Sequence, residues 1–281
     1  MNIQWYPGHM AKTKRLILED ISLVDIVIEL LDARIPISSK NPDIDDLAKN
    51  KHRIIVLNKS DLASEEGNRA WKKYFEEKGF KVILCDSTSG TGFNEIMSAS
   101  KELMKEKLER MRARGRIFTP IRAMVAGVPN VGKSTFINRF VGKTMAKTGD
   151  RPGVTRNKQW IRIKKDFELL DTPGILWPKF EDLETGLKLA FTGAVKDEIM
   201  DIYQLSLKFI ECIIKLNPET IEKRYNIFID ENERPDFILE KIGQARGFKL
   251  KGNEIDLNRT AIVLMDEYRG GKLGRITLEL P

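Results

Sequence analysis

The sequence predicts an α/β fold built on a mostly parallel sheet, with an all-helical C-terminal domain behind it. Three observations predict this. Apolar runs of strand length alternate with helical stretches, one such run passes through a glycine-rich loop straight into a helix, and after Trp177-Pro178 the texture turns wholly helical. The chain has 281 residues, room for one large domain or two of ordinary size. We divide it into residues 1–178, with an N-terminal extension over 1–20, and residues 179–281.

Residues 1–20 read as a polar, helical segment with an aromatic start, Trp5-Tyr6-Pro7. Residues 25–32 (DIVIELLD), 53–57 (RIIVL) and 81–85 (KVILC) are short, β-branched apolar runs. Each ends in turn formers: Ala33-Arg34-Ile35-Pro36, Asn58-Lys59-Ser60-Asp61 and Asp86-Ser87-Thr88-Ser89-Gly90. Helical spacing over 65–78 fits a crossover between parallel strands. Residues 92–116 read as a helix or helix pair, and 121–126 (IRAMVA) as a fourth strand. A glycine loop and a helix over 133–141 follow. Residues 159–164 alternate apolar and basic side chains, and 167–170 lead into Asp171-Thr172-Pro173-Gly174. Beyond Pro178, residues 183–195, 200–216, 218–225, 235–246 and 257–268 carry helical spacing, most of them punctuated by proline or glycine.

Hydrophobic residues make up 41% of the chain, enough for a buried core, and charged residues 32%. No apolar run approaches the ~20 residues of a membrane span, and the first twenty residues show no signal-peptide stretch. Cys85 and Cys212 lie among apolar neighbours and read as buried, reduced thiols of a cytoplasmic protein. The net charge of +7 is unevenly spread: residues 139–165 hold nine Lys/Arg against Asp150 alone, whereas residues 179–281 hold 16 basic and 19 acidic residues. Such a patch suits a polyanion, nucleic acid first, and is equally a solvated basic face.

Gly127-Val128-Pro129-Asn130-Val131-Gly132-Lys133-Ser134 fits the P-loop pattern in its proper setting, between a strand and a helix. Its glycines let successive N–H groups turn toward a phosphate, and the helix N-terminus adds partial positive charge. Lys133 reaches the β- and γ-phosphates. Asn130, Val131, Gly132, Lys133, Ser134 and Thr135 are the expected nucleotide contacts. Ser134 is the expected Mg²⁺ ligand, joined by Thr155 and by Asp171, and the Gly174 N–H is expected on the γ-phosphate.

A phosphate loop selects no base; Asn58-Lys59-Ser60-Asp61 does. The Asp61 carboxylate accepts from guanine N1–H and the N2 amino group, a donor pair that adenine lacks. Asn58 is expected to bond the base and tie its loop to the phosphate loop, with the Lys59 stem along the ring. Ser87 and Thr88, after the next strand, fit the loop whose N–H groups contact guanine O6. These base-reading loops precede the phosphate loop, whereas most GTPases have them last. The cyclic order is kept and the starting point moved, so the predicted domain is a circularly permuted P-loop GTPase using GTP/GDP and Mg²⁺.

With Trp5-Tyr6-Pro7-Gly8-His9-Met10 at the start, Asp32-Ala33-Arg34-Ile35-Pro36 after the first strand, the permuted motif order and the helical tail, nearly the whole chain resembles the circularly permuted GTPases of the YlqF/RbgA type. The resemblance implies a ribosome-assembly factor that binds a late precursor of the large ribosomal subunit, its rRNA and ribosomal proteins, and leaves after hydrolysis. A monomer with no membrane partner is expected. The competing reading is a cytosolic signalling GTPase whose helical domain binds a protein.

Hydrolysis needs an oriented water. Ile175 stands where many switch GTPases place a Gln, and its side chain cannot hold water. His9, in the Pro7-Gly8-His9 turn, is the expected replacement once a partner is bound; otherwise that turn packs on the domain or touches RNA. Lys133, Thr155 and Gly174 complete the expected catalytic set. Asn130 either caps its loop or holds K⁺ against the phosphates. Lys241, Arg246, Lys249 and Lys251, and Arg259, Arg269, Lys272 and Arg275, are two candidate RNA-gripping clusters.

Overall fold

The computed structural model describes residues 18–116, 119–142, 159–164, 166–171, 182–195, 201–230 and 232–281, with backbone alone at Gln159, Lys164 and Asp171. They divide into two compact units. One lies within Gln4–Lys179 and includes Glu279–Pro281; the other lies within Phe180–Leu278.

In the first unit, helical residues 18–23 (α1) precede β1 (Ile26–Asp32), all seven of whose residues are buried. A strand covered on both faces needs an unbroken apolar run rather than alternation, and 25–32 supplies one. With β2 (His52–Asn58), β3 (Lys81–Cys85), β4 (Ile121–Gly127), β5 (Gln159–Lys164) and β6 (Phe167–Asp171) it forms a six-stranded sheet in the order β3-β2-β1-β4-β6-β5. Neighbours are parallel except β5 and β6, so the sheet is mostly parallel, as the sequence predicts. The strand order walks outward from β1 to β3, then returns to the other side of β1 at β4. In open α/β sheets the crevice at such a reversal, outside the carboxyl ends of the strands, is where ligands bind.

α2 (Asp43–Leu47) has no counterpart in the sequence reading. It is five residues long with three aspartates, and buries only Ile44, too short to show a period. α3 (Glu65–Glu77) starts where the Ser64 hydroxyl accepts the Gly67 N–H at 3.0 Å, and packs Trp71 and Phe75 against Leu31, Ile55 and Leu57. Farther along the same sheet face, Ile21, Val24 and Ile44 pack with Val27, Met124 and Leu170. The 92–116 stretch breaks at Met104 into α4 (Phe93–Leu103) and α5 (Lys105–Ala113), and α5 buries no side chain. α6 (Lys133–Val141) is braced by Phe93, Phe136 and Phe140, whose ring centroids lie 5.0 to 5.4 Å apart. The chain's last residues are also held here. Glu279 accepts from the Ile37 N–H at 2.6 Å, the Ser38 N–H at 2.9 Å and the Ser38 hydroxyl at 2.6 Å, and its carbonyl takes the Trp71 indole N–H at 2.8 Å.

The second unit consists of α7 (Leu183–Phe191), α8 (Ile202–Leu216), α9 (Glu219–Tyr225), α10 (Pro235–Ala245) and α11 (Leu257–Arg269). Asp182, Asp201 and Asp256 cap α7, α8 and α11 by accepting their first N–H groups. Phe209 sits between Phe191 and Tyr268, with centroids 5.4 and 4.6 Å away. Cys85 is buried and its thiol is pushed up to about 12, chiefly by burial. Cys212 departs from expectation: it is only half-buried, beside rather than within the α8 face formed by Leu205, Phe209 and Ile213.

One ion cluster in this unit sets a pH dependence. Glu267 accepts two hydrogen bonds from Arg224 at 2.8 Å each, one from the Tyr225 hydroxyl at 3.0 Å and one from Arg246. The Arg224 bonds, helped by Tyr225 and Arg246, hold its carboxyl down to about 2 against the opposing effect of burial. A carboxyl whose folded pKa is depressed adds stability above its unfolded pKa, and loses it as pH falls toward the folded value. Stability of the helical unit is therefore expected to fall by about 3 kcal/mol between roughly pH 5 and pH 2 from this group alone. Denaturant titrations across that range should show the slope in wild type and lose it in Glu267→Gln; an unchanged slope in the variant would remove the assignment.

Candidate functional site

The loops singled out from the sequence leave the carboxyl ends of parallel strands, with β1 standing between β2 and β4. Asn58-Lys59-Ser60-Asp61 follows β2, Ser87-Thr88-Ser89 follows β3, and the phosphate loop follows β4. Asn58, only 1% exposed, joins all three. Its amide NH₂ donates to the Val131 carbonyl at 2.7 Å, and its amide oxygen accepts from the Ser87 N–H at 3.2 Å and the Ser87 hydroxyl at 2.7 Å. The contact leaves no room for a side chain at Gly132. That residue has φ +97°, and a Cβ there would stand 2.5 Å from the Asn58 amide nitrogen.

Lys59 adds a second link. Its ammonium donates to the Asn130 carbonyl at 2.7 Å and to the Asp32 carboxylate at 3.1 Å. Lys59 and Asn130 both hold left-handed backbone, φ +58° and +57°, which non-glycine residues keep only where the surroundings fix it. Burial pulls the Lys59 ammonium down and outweighs the opposing pull of Asp32. Asp61, two residues on, is exposed, and its charge reaches Lys59. Below this loop the Ser60 hydroxyl donates to the Cys85 carbonyl at 3.0 Å, and the Asn68 side chain to the Ser60 carbonyl at 2.8 Å.

In the phosphate loop, Val131 is 1% and Lys133 9% exposed, Ser134 is half-buried and Thr135 exposed. Gly132 begins α6 and adds no capping side chain of its own. A Cβ at Gly127 would meet the Leu30 carbonyl at 2.9 Å, which holds the loop close to β1.

The β3 loop is held in a way the sequence reading missed. The Thr88 N–H donates to one Asp86 carboxylate oxygen at 2.7 Å and the Ser89 N–H to the other at 3.2 Å, while Ser87 is engaged by Asn58. Burial of Asp86 is outweighed by these bonds, and its carboxyl lies below the usual carboxylate range. Thr88 therefore meets a base through its N–H only when Asp86 gives that N–H up. Asp two residues before a turn N–H is an Asx-turn signal and could have been read. Arg139 of α6 donates to the Ser89 carbonyl at 2.8 Å, tying this loop to the phosphate-loop helix.

His9, Thr155 and Gly174 lie outside the described residues, and Asp171 is described as the last residue of β6 by its backbone alone. The site as described thus brings together Asn58, Lys59, Ser87, Asn130, Val131 and Gly132 around the P-loop. Of the basic residues picked out in the helical unit, several are engaged internally. Arg246 bonds Glu267, Lys241 pairs with Glu233, and Arg269 donates to the Ala190 and Phe191 carbonyls. The Arg259 guanidinium lies 4.4 Å from the Phe248 ring centre. Lys249, Lys251, Lys272 and Arg275 are exposed.

The chain is similar to known proteins along its whole length. Residues 122–241 match the family model described as 50S ribosome-binding GTPase, and residues 47–181 that of the RsgA GTPase. The chain is 49% identical to ribosome biogenesis GTPase A of Bacillus cereus, covering 100% of this chain and 95% of the relative. It is 30% identical to the protein of that name from Thermotoga maritima, over 99% of this chain and 95% of the other. A GNP-bound crystal structure of YlqF from T. maritima matches with a TM-score of 0.64 at 28% identity, covering 96% of this chain and 98% of that one. A GDP-bound structure of TM YlqF gives 0.67 at the same 28%, over 95% and 99%. A P-loop joined through one buried asparagine to an N-K-x-D loop that precedes it in the chain, with identity of this extent along the whole length, makes the protein a guanine-nucleotide-binding GTPase that belongs to the ribosome biogenesis GTPase A (YlqF/RbgA) family.

Proposed function

We propose that this GTPase acts in late assembly of the large ribosomal subunit, binding a precursor particle through rRNA and ribosomal proteins in the GTP state and leaving after hydrolysis. The full-length identity with proteins named ribosome biogenesis GTPase A carries the reading, and the 50S ribosome-binding family model over residues 122–241 supports the choice of subunit. The basic stretch 139–165 supports an RNA contact beside the phosphate loop. No described helix is long and apolar enough to cross a membrane. The protein then works as a cytoplasmic monomer on its particle.

In this reading Asn58, Lys59, Asp61, Ser87 and Thr88 surround the base, and Asn130 through Thr135 the phosphates. Ser134, half-exposed on α6, offers one hydroxyl that Mg²⁺ accepts beside phosphate oxygens, since this cation takes few protein ligands. Thr155 and Asp171 complete its set, and Gly174 reads the γ-phosphate. The ion neutralises charge on the phosphates when bound. Lys133 shares that task, and His9 positions the attacking water when the particle presses the N-terminal segment inward. The Asn130 side chain supplies a ligand for K⁺.

Co-sedimentation with precursor particles, combined with turnover measured on the same samples, tests the reading. Binding should appear with a non-hydrolysable GTP analogue, vanish with GDP and weaken steeply with salt. Particle-stimulated turnover should fall in His9→Ala with nucleotide affinity kept, and should be faster in KCl than in NaCl. Equal association in both nucleotide states would end the assembly-switch reading. Unchanged stimulated turnover in His9→Ala would end the role of His9, and equal rates in the two salts that of K⁺.

A further inference from the structure

The Asp32-Ala33-Arg34 element marks the family resemblance but has so far carried no chemistry. It lies at the end of β1, between the base loop and the phosphate loop. Asp32 is 2% and Arg34 1% exposed. The Arg34 guanidinium grips the Asp32 carboxylate with two parallel bonds of 2.9 and 2.8 Å, and its own backbone N–H adds a third at 3.1 Å. The Asp32 N–H is in turn fixed on the Ser39 hydroxyl at 2.9 Å. The oxygen that takes the 2.8 Å bond also accepts the Lys59 ammonium, whose other contact is the Asn130 carbonyl of the phosphate loop. A carboxylate so held cannot swing away, and an ammonium has no fork of its own to set its direction. Lys59 needs such an external fix, because its side chain is still 23% exposed.

We propose that Asp32, gripped by Arg34, is the positioning residue that holds Lys59 across the phosphate loop, and that the Asp32-Ala33-Arg34 element thereby sets affinity for the guanine nucleotide. Burial would raise the Asp32 carboxyl, but the Arg34 and Lys59 cations outweigh it and keep the group ionised far below neutral pH. The carboxylate side of the contact therefore stays charged well into the acid range. It rests on the reading of Asn58-Lys59-Ser60-Asp61 as the base loop.

The test is a double-mutant cycle on the full chain, with fluorescent GDP and a GTP analogue as probes and circular dichroism to check the fold. Asp32→Asn should weaken both nucleotides by the same factor, about tenfold or more for a lost charge-assisted contact. KM for GTP should rise with kcat kept, the mark of uniform binding lost. In a Lys59→Ala background the same substitution should cost almost nothing further, because its effect passes through Lys59. A merely structural Asp32 would give equal losses in both backgrounds, which would overturn the proposal, as would wild-type affinity in Asp32→Asn. Arg34→Lys keeps a cation beside the carboxylate without the fork. The same cycle run with it decides the matter if Asp32→Asn does not fold. If Lys59→Ala alone left affinity unchanged, the base-loop reading itself would fail; a loss there with none in Asp32→Asn would sink only the present proposal.

Discussion

Lys133→Ala is expected to reduce GTP turnover on the order of a thousandfold while the protein stays folded. The size of the effect follows from where the side chain stands. Lys133 is the first residue of α6, 9% exposed, behind a glycine that adds no cap of its own. A cation there acts in partly dehydrated surroundings, where its attraction to phosphate charge is several times what bulk water allows. In the loose transition state negative charge builds on the leaving β-phosphate side of the breaking bond, beside the Lys133 ammonium, so the loss falls on the rate as well as on binding. Lys133→Arg should rescue little, because a planar fork does not fit a site made for a compact ammonium. Single-turnover hydrolysis at saturating GTP measures the effect directly. Turnover within about tenfold of wild type would mean that residues 127–134 do not hold the reacting phosphates.

The fold was largely legible because parallel strands buried on both faces leave an unmistakable trace. The runs at 25–32, 53–57, 81–85 and 121–126 each became a strand within one or two residues of its expected ends. α2 escaped because Ile44 is its only buried side chain, and one residue has no period. In the site, the phosphate loop and Asn58 could be read because local spacing defines them. The tie between Asn58 and Val131 spans 73 residues, so only the permuted motif order pointed to it. Asp32, Asp86 and Ser39 went unread as site residues. Each acts by accepting backbone or side-chain donors in a folded turn, and an isolated Asp or Ser carries no mark of which donor it will meet. The basic residues of the helical unit show the converse. Arg246 and Arg269 look like any surface arginine in sequence, yet they are engaged in internal bonds to Glu267 and to the Ala190 and Phe191 carbonyls.

Asp61→Asn should exchange the preferred base, from guanine to xanthine. The loop that carries Asp61 is fixed at three points: Asn58 on Val131, Lys59 on Asn130, and Ser60 on Cys85. A side chain two residues beyond the left-handed turn at Lys59 therefore has little freedom to seek another partner. Asp61 is exposed at the end of that loop. Guanine offers N1–H and an amino group, and the carboxylate accepts both. An amide in its place meets the amino group with its own NH₂, donor against donor, and leaves two polar groups unpaired on closure. At about 2 kcal/mol for each, GDP affinity should fall on the order of a thousandfold. Xanthine presents N1–H beside a carbonyl, the complement of the amide, so XDP should bind the variant better than GDP does. Competition of GDP and XDP against a fluorescent nucleotide, run on wild type and variant together, gives the ratio of ratios. If that ratio stays at one, the recognition of guanine lies outside residues 58–61, and the pairing of this loop with the P-loop serves the fold alone.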